Sequence, residues 1–351
     1  MRLVPLLALA AAAAVCALTG ASATERALPG ARIAAYLSTR GGPALTAGAD
    51  SPSPVIATYI DYRDINWQAP QKTILAAVAG GFNCVVIAFL LTTGPTDLLE
   101  GWATLDPGVR NATLAAAHAA GAVLMLSAGG ASEEPYNRMS GQEYGAAAGR
   151  AAVDLSLDGV DFDLENLAPG FNFGPLKGQE LVDWLVDATT AARAAMGPDR
   201  LLTHAPQAPY FGPLGGSGWV GPSGGYTAVW HAAQGALDWF FIQFYNQGDC
   251  YDSSVSLFTD SGAGGLCVFP GTSVGELAAM GVDKRAIVVG KPLLEEDADT
   301  GYVAAATLGQ WVRAAAGAPL AWRSGAFIWS WEATAGPAWV AAVFGKNASL
   351  A

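Results

Sequence analysis

The run Asp158-Gly159-Val160-Asp161-Phe162-Asp163-Leu164-Glu165 sets four acidic side chains within a segment that otherwise has the make-up of a buried strand. Val160, Phe162 and Leu164 alternate with Asp161, Asp163 and Glu165. A two-residue side-chain period sends the apolar set to one face and the three carboxylates to the other. Like charges a few Å apart cannot all ionise in a partly dry site, so at least one proton is shared and at least one pKa is raised. Such an arrangement is tolerated mainly where chemistry needs it. A calcium loop would want a Gly at its sixth position and a Glu at its twelfth within a turn, which the apolar alternation opposes. A solvated acidic edge is opposed by Leu155, Leu157, Val160 and Phe162.

On either side of this run, short apolar or β-branched stretches alternate with Ala-rich helical ones, the pattern of a parallel sheet made of βα units. The predicted strands are 55–59, 84–90, 123–127, 159–165, 201–204, 239–245, 286–290 and 326–329. The predicted helices are 71–79, 109–120, 142–155, 179–196, 227–234, 274–280, 303–316 and 337–344. Eight strands, each followed by a helix, predict an α/β fold with a single closed (β/α)8 TIM barrel. No GxGxxG follows the first strand to favour an open nucleotide-binding sheet.

In such a barrel the C-terminal strand ends share one mouth. Tyr59 ends the first strand, Phe89 lies near the end of the second, and Ser127-Ala128-Gly129-Gly130 closes the third with small residues that let a ligand approach the backbone. Asp163 and Glu165 end the fourth, Gln243, Tyr245 and Asn246 the sixth, and Trp329 the eighth. Each aromatic taken alone reads as core packing. Together, around carboxylates, they suit the apolar faces and polar edges of sugar rings.

The chain has 351 residues, 52% hydrophobic and 14% charged, enough to bury a large core. Its net charge of −12 argues against nucleic acid and anionic membranes as partners. Residues 1–23 carry Arg2, an apolar run and an Ala21-Ser22-Ala23 ending, which predicts a cleaved secretory signal and a secreted protein. That apolar run is short for a membrane span, and no later stretch reaches about 18 uninterrupted apolar residues. Val15 before Cys16 argues against a lipid anchor. Residues 24–53, rich in Ala, Gly, Pro and Ser, read as a flexible linker, with the catalytic domain at 54–351. No separate carbohydrate-binding module is visible. Asn111-Ala112-Thr113 and Asn347-Ala348-Ser349 are glycosylation acceptors if the host is eukaryotic. Of the three cysteines left after cleavage, Cys84 reads as a small buried hydrophobe. Cys250 and Cys267 flank a Gly- and Ser-rich loop and are predicted to form a disulfide.

With these residues in hand, the chain from about residue 55 to 344 resembles glycoside hydrolase family 18, the chitinases, above all the plant and fungal hevamine-like branch. The 158–165 run fits the family's DxxDxDxE signature at every acidic position. Leu126 to Gly130 looks like its strand-three SxGG motif, Ala205-Pro206-Gln207 like the APQ after strand five, and Gln243-Phe244-Tyr245-Asn246 like the QFYN of strand six. Gly290 to Pro292 with Gly301-Tyr302-Val303 is similar to the strand-seven region, and Phe327 to Ser330 to the strand-eight Trp segment. There are departures. Ile60-Asp61-Tyr62 stands where that branch has Gly-Gln-Asn, so glycan contacts beyond the cleavage site are expected to differ. Ala208 stands where a cysteine partner for Cys250 would be, and His204 before the APQ reads as a packed imidazole.

The resemblance implies hydrolysis of a β-1,4 bond beside N-acetylglucosamine by a retaining, substrate-assisted route, which departs from the two-carboxylate scheme. Glu165 is then the general acid, Asp163 the stabiliser of an oxazolinium, Asp161 the group behind it that shares a proton, and Tyr245 the donor to the acetamide oxygen. Trp329 is the apolar floor, and Tyr59, Phe89, Gly129, Gln207, Gln243 and Asn246 are further substrate contacts. Asp158, Ser127 and Gly130 belong to the structural motif. No cofactor and no metal is expected; chitin or a related oligosaccharide is the partner of a monomer. Two rivals remain open: a non-catalytic chitin-binding lectin or enzyme inhibitor on the same barrel, and an endo-β-N-acetylglucosaminidase acting on N-glycans.

Overall fold

Nine strands form one sheet: β1 (Val55–Ile60), β2 (Cys84–Leu91), β3 (Gly94–Pro95), β4 (Val123–Gly129), β5 (Gly159–Asp163), β6 (Leu201–His204), β7 (Trp239–Gln243), β8 (Ile287–Pro292) and β9 (Gly325–Trp329). The computed structural model describes residues 28–40, 54–167, 178–212 and 223–345. The signal 1–23, residues 24–27 and 41–53 of the predicted linker, and Asn347-Ala348-Ser349 lie outside the described residues. Eight of the strands run parallel in the order β1-β9-β8-β7-β6-β5-β4-β2, and a β1–β2 pairing closes them into a single (β/α)8 TIM barrel. The short β3 folds back antiparallel on the end of β2.

The strands are aliphatic and aromatic runs because both faces are buried, one inside the barrel and one under the helices. Helices are found at all eight predicted places: Pro70–Ala79, Pro107–Ala119, Gly141–Asp154, Gln179–Met196, Gly225–Ala233, Val274–Ala279, Ala305–Ala315 and Ala335–Phe344. Their starts carry local signals, such as Pro107 behind the Asp106 cap, whose carboxylate accepts from Gly108 N at 2.7 Å. A reciprocal Ser140–Glu143 capping box opens the helix Gly141–Asp154. That helix lies close on Gln179–Met196: a Cβ at Gly145 would come within 2.0 Å of the Ala188 carbonyl oxygen. An alanine there would force the two helices apart.

Three expectations need correction. β5 and β7 stop at Asp163 and Gln243, two residues earlier than predicted. β6 ends at His204, and its pairing with β5 finishes with Ala205 N donating to Phe162 O at 2.9 Å. Beyond β7, Asn246 takes a left-handed φ of 63° that turns the chain away. The helix Asp97–Thr104 was not expected. Finally, residues 28–40 are not flexible linker: Pro29–Ser38 is a helix that buries Ile33, Tyr36 and Leu37 against the barrel. Those three share one helical face at i, i+3 and i+4, a spacing masked by the Ala-, Gly- and Pro-rich composition around it.

The docking point of that helix is Asp158, just before β5 at the end of the barrel away from the mouth. Its carboxylate accepts from Tyr36 OH at 2.8 Å and from Leu124 N at 2.8 Å, and lies 2.9 Å from His118 Nε2. Arg32 adds a hydrogen bond to Asp238 at 2.9 Å. Asp158 thus accepts from a strand and meets two helices. Asp158→Ala would leave three buried donors without an acceptor, at about 1–3 kcal/mol each. Urea unfolding at neutral pH is expected to show a loss of about 3 kcal/mol or more, and a loss under about 1 kcal/mol would remove this explanation of how the leading helix is held.

Candidate active site

Strand parity carries the acidic run as the sequence predicts. Phe162 points outward, its ring 5.6 Å from that of Tyr144 and 4.9 Å from that of His204. His204 is a packed imidazole, 3.1 Å from Thr189 Oγ1 and 3.2 Å from Tyr226 OH, and burial pulls its pKa down to about 3. Asp161 points inward and is fully buried.

Register dictates what meets Asp161. Ser127 on β4 and Thr203 on β6 are its direct parallel partners, so all three side chains share the inner face. Thr203 Oγ1 donates to Asp161 at 2.6 Å, Tyr59 OH reaches it from across the barrel at 2.7 Å, and Ser127 Oγ at 3.3 Å. These hydroxyls favour the charged form, yet burial still pushes the carboxyl up to about 6.

One layer nearer the mouth, Asp163 accepts from Gln243 Nε2 at 2.9 Å, and the same amide also donates to Ala205 O at 2.9 Å. Burial, then the charges of Glu165 and Asp161, hold the Asp163 carboxyl well above the usual carboxylate range, against the pull of Gln243. Glu165 lies beyond the strand, half-buried, and burial pushes it up to about 7. Repulsion within the acidic row therefore bears chiefly on Asp163, while desolvation lifts Glu165.

With no ladder beyond Asp163, other groups must fix residues 165–167. Tyr210 OH donates to the Glu165 carbonyl and accepts from Leu167 N at 3.3 Å. Tyr136 OH donates to Asn166 O at 2.6 Å, and the Asn166 amide donates to Ala131 O at 2.8 Å. Gly130 N donates to Asp163 O at 2.6 Å. Gly129 makes that approach possible, since a Cβ there would come within 2.2 Å of the same carbonyl oxygen, at a φ of 119°.

Aromatic rings line the rest of the mouth. The half-buried Trp329 ring lies 5.9 Å from Tyr59 and 6.0 Å from Phe89, and Gly130 leaves room for Phe89. Tyr245 is buried, and its hydroxyl has no hydrogen-bond partner among the described residues. Burial, then the charges of Glu165, Asp163 and Asp161, hold its phenol well above its usual pKa, so it remains a donor. Gln207 is half-buried beside Gln243, joined to it by a backbone bridge. Asn246 stands apart from this group: it is exposed, and its side-chain oxygen accepts from Asp299 N at 2.8 Å, so it shapes the loop after β8. The departure at Asp61 is explained in part, because its carboxylate is buried and accepts from Arg63 N at 3.1 Å and Ser330 Oγ at 3.3 Å. Arg63 also pairs with Asp297, which knits the loops after β1 and β8 to the end of β9.

Thr203, Tyr210, Tyr136 and Asn166 build the site without standing out in the sequence. Thr203 alone was within reach of sequence reasoning, since strand parity opposite His204 turns it inward. A disulfide joins Cys250 and Cys267 as predicted, and Cys84 is free and buried. Among the described residues, no three His, Cys, Asp or Glu side chains are grouped to hold a metal ion, and no helix is long and apolar enough to cross a membrane.

No protein-family profile and no curated protein matches the chain. Its fold is similar to that of solved structures. A GH18 chitinase from Pseudoalteromonas aurantia is 18% identical with a TM-score of 0.61, over 83% of this chain and 98% of that one. A family GH18 chitinase from Chromobacterium violaceum is 20% identical with a TM-score of 0.57, over 84% of this chain and 81% of that one. A xylanase and alpha-amylase inhibitor protein from Scadoxus multiflorus is 19% identical with a TM-score of 0.54, over 84% of this chain and 99% of that one. At such identities the likeness is one of fold.

The raised Glu165 pKa has a consequence for stability. Between about pH 4.5 and 7 the folded chain keeps a proton that the unfolded chain has released. The favourable contribution of this carboxyl is therefore complete below about pH 4.5 and lost as pH rises through about 7. Glu165→Gln cannot ionise, so its melting temperature is expected to gain on the parent more at about pH 8 than at about pH 5. An equal or reversed gain would contradict a Glu165 that keeps its proton towards neutral pH.

Proposed function

We propose that this chain is a secreted glycoside hydrolase of the chitinase type, cutting β-1,4 bonds between N-acetylglucosamine units with retention of configuration. The observation that carries the reading is Glu165, whose carboxyl is pushed up to about 7, together with the phenol of Tyr245, which feels the charges of the same acidic row and has no hydrogen-bond partner among the described residues. A general acid needs a pKa near the working pH, and Glu165 meets that requirement.

In this reading Trp329, with Tyr59 and Phe89 beneath it, carries the apolar face of the sugar on the glycon side of the scissile bond. Tyr245 donates its hydroxyl to the acetamide oxygen of that sugar and holds it in line with the anomeric carbon, an effect of positioning. Glu165 gives its proton to the glycosidic oxygen as the C1–O bond breaks and the acetamide oxygen closes on C1. Asp163 faces the acetamide N–H and balances the positive charge of the oxazolinium; Gln243 and Asp161 keep it oriented and share its burden of charge. Water then attacks C1 from the face the leaving group vacated as the bond from C1 to the acetamide oxygen breaks, the Glu165 carboxylate takes the water's proton, and the configuration is that of the starting sugar. The nucleophile of the first step thus belongs to the substrate, which sets this route apart from hydrolysis by a pair of protein carboxylates. The disulfide between Cys250 and Cys267 supports secretion into an oxidising compartment, where the leader 1–23 is removed and the chain acts as a monomer.

The likeness of fold to an inhibitor protein favours one alternative, a barrel that binds sugar or protein without cutting. Against it stand the complete acidic row and a Tyr245 hydroxyl without a partner among the described residues, which a pure binder has no use for. An endo-acting N-glycan hydrolase would use the same chemistry with different loops.

Incubation with an N-acetylglucosamine hexamer, alongside a high-mannose glycopeptide, is expected to release shorter oligomers from the hexamer alone. Glu165→Gln is expected to lose at least about 10² to 10⁴ in turnover while staying folded. Because the acid acts in its protonated form, kcat/KM should fall as pH rises through about 7. An unchanged rate in Glu165→Gln would refute the assignment.

A further inference from the structure

Lys291 is the one fully buried lysine among the described residues, and the chemistry set out above does not use it. It lies in β8 next to Gly290. A Cβ at Gly290 would come within 2.0 Å of the Phe327 ring, so Gly290 faces the barrel interior and Lys291 faces outward, under the chain that leaves β7. Its ammonium donates to Phe244 O at 2.8 Å and to Tyr251 O at 3.0 Å, with the Asp252 carboxylate at 3.8 Å. An ammonium is costly to bury, and an apolar residue would fill the same space without that cost.

The two carbonyls indicate what the lysine does. Phe244 O belongs to the peptide whose N–H is that of Tyr245, so the bond at 2.8 Å pins the plane from which Tyr245 departs. On the other side, Asn246 N donates to Thr300 O at 3.0 Å, and a Cβ at Gly301 would lie 2.6 Å from Tyr245 Cα. The Tyr245 hydroxyl has no hydrogen-bond partner of its own among the described residues, so the direction of the phenol is left to its backbone and to the packing of its ring. Tyr251 O, the second acceptor, sits next to Cys250, whose disulfide to Cys267 closes the following loop.

We propose that Lys291 is a positioning residue for Tyr245: by holding the Phe244 and Tyr251 carbonyls together behind the barrel wall, it aims the phenol at the acetamide oxygen of the substrate. The proposal rests on the chitinase reading and deepens it. It differs from a purely structural role in that the lysine's effect on rate passes through the Tyr245 hydroxyl.

The test is a double-mutant cycle of Lys291→Met and Tyr245→Phe on the N-acetylglucosamine hexamer, with kcat and KM measured on protein whose folding is checked by its melting transition. Lys291→Met is expected to lower kcat at least about tenfold with KM within about twofold, since small misplacements of a reacting group cost this much or more. In the Tyr245→Phe background the same substitution should cost less than about twofold. An equal fractional loss in both backgrounds, or no loss in the parent, would overturn the proposal. If Tyr245→Phe alone leaves kcat unchanged, the assignment of Tyr245 falls and takes the proposal with it, a result distinct from an intact Tyr245 effect with an inert Lys291. Should Lys291→Met not fold, Lys291→Arg, which keeps the charge and the donors while displacing the carbonyls, enters the same cycle with the same criteria.

Discussion

Three carboxyl groups, two on the inner face of one strand and the third just past its end, cannot all be charged in a space with so little water, and the structure is built around that constraint. Among the described residues, Asp161 is met by three hydroxyl groups, Asp163 by one amide, and Glu165 by nothing that would favour its ionised form. The hydrogen-bond donors thin out along the row towards the mouth. A proton is therefore retained where a bound molecule could receive it, and the deepest group is the one best prepared to carry charge.

The barrel supplies the donors by register. Parallel pairing puts Ser127 and Thr203 level with Asp161, and closure of the sheet brings Tyr59 across to the same carboxylate. The ladder then gives out at Asp163, and a second set of groups takes over. Tyr136, Tyr210 and Asn166 hold the backbone that carries Glu165, as Lys291 and Gly301 hold the backbone that carries Tyr245. Both side chains assigned a direct part in bond cleavage thus lie just past the regular strands, on segments tied down by single side chains. At the other end of the barrel Asp158 serves only architecture, although it belongs to the same short acidic run.

How much of this is legible in the sequence follows from the range of the interactions. Parity within DGVDFDLE depends on adjacent residues alone, and it separates inward Asp161 from outward Phe162 correctly. The eight βα units are legible because each strand is apolar on both faces. What escapes depends on distant partners. Where β5 stops is decided by where its neighbours cease to pair with it, at Ala205 N on Phe162 O and Gly130 N on Asp163 O. Asn246 looks like a contact by its place after Tyr245, but a left-handed φ turns it out towards Asp299. The helix Pro29–Ser38 is hidden by its composition, and only the barrel surface receiving Ile33, Tyr36 and Leu37 gives it a reason to form. Lys291 gives no sign of its role within an apolar strand, since its two acceptors are backbone carbonyls some forty or more positions away.

The acidic row is held to keep a proton at its outer end near neutral pH, and everything assigned to Glu165 depends on that proton. Infrared difference spectra between the parent and Glu165→Gln, recorded as pH is raised from about 5 to about 9, observe it without recourse to substrate or turnover. The predicted result is a protonated-carboxyl band that belongs to the parent alone and fades with a midpoint near pH 7. A parent with no such band even at about pH 5, its carboxylates already ionised, would contradict it.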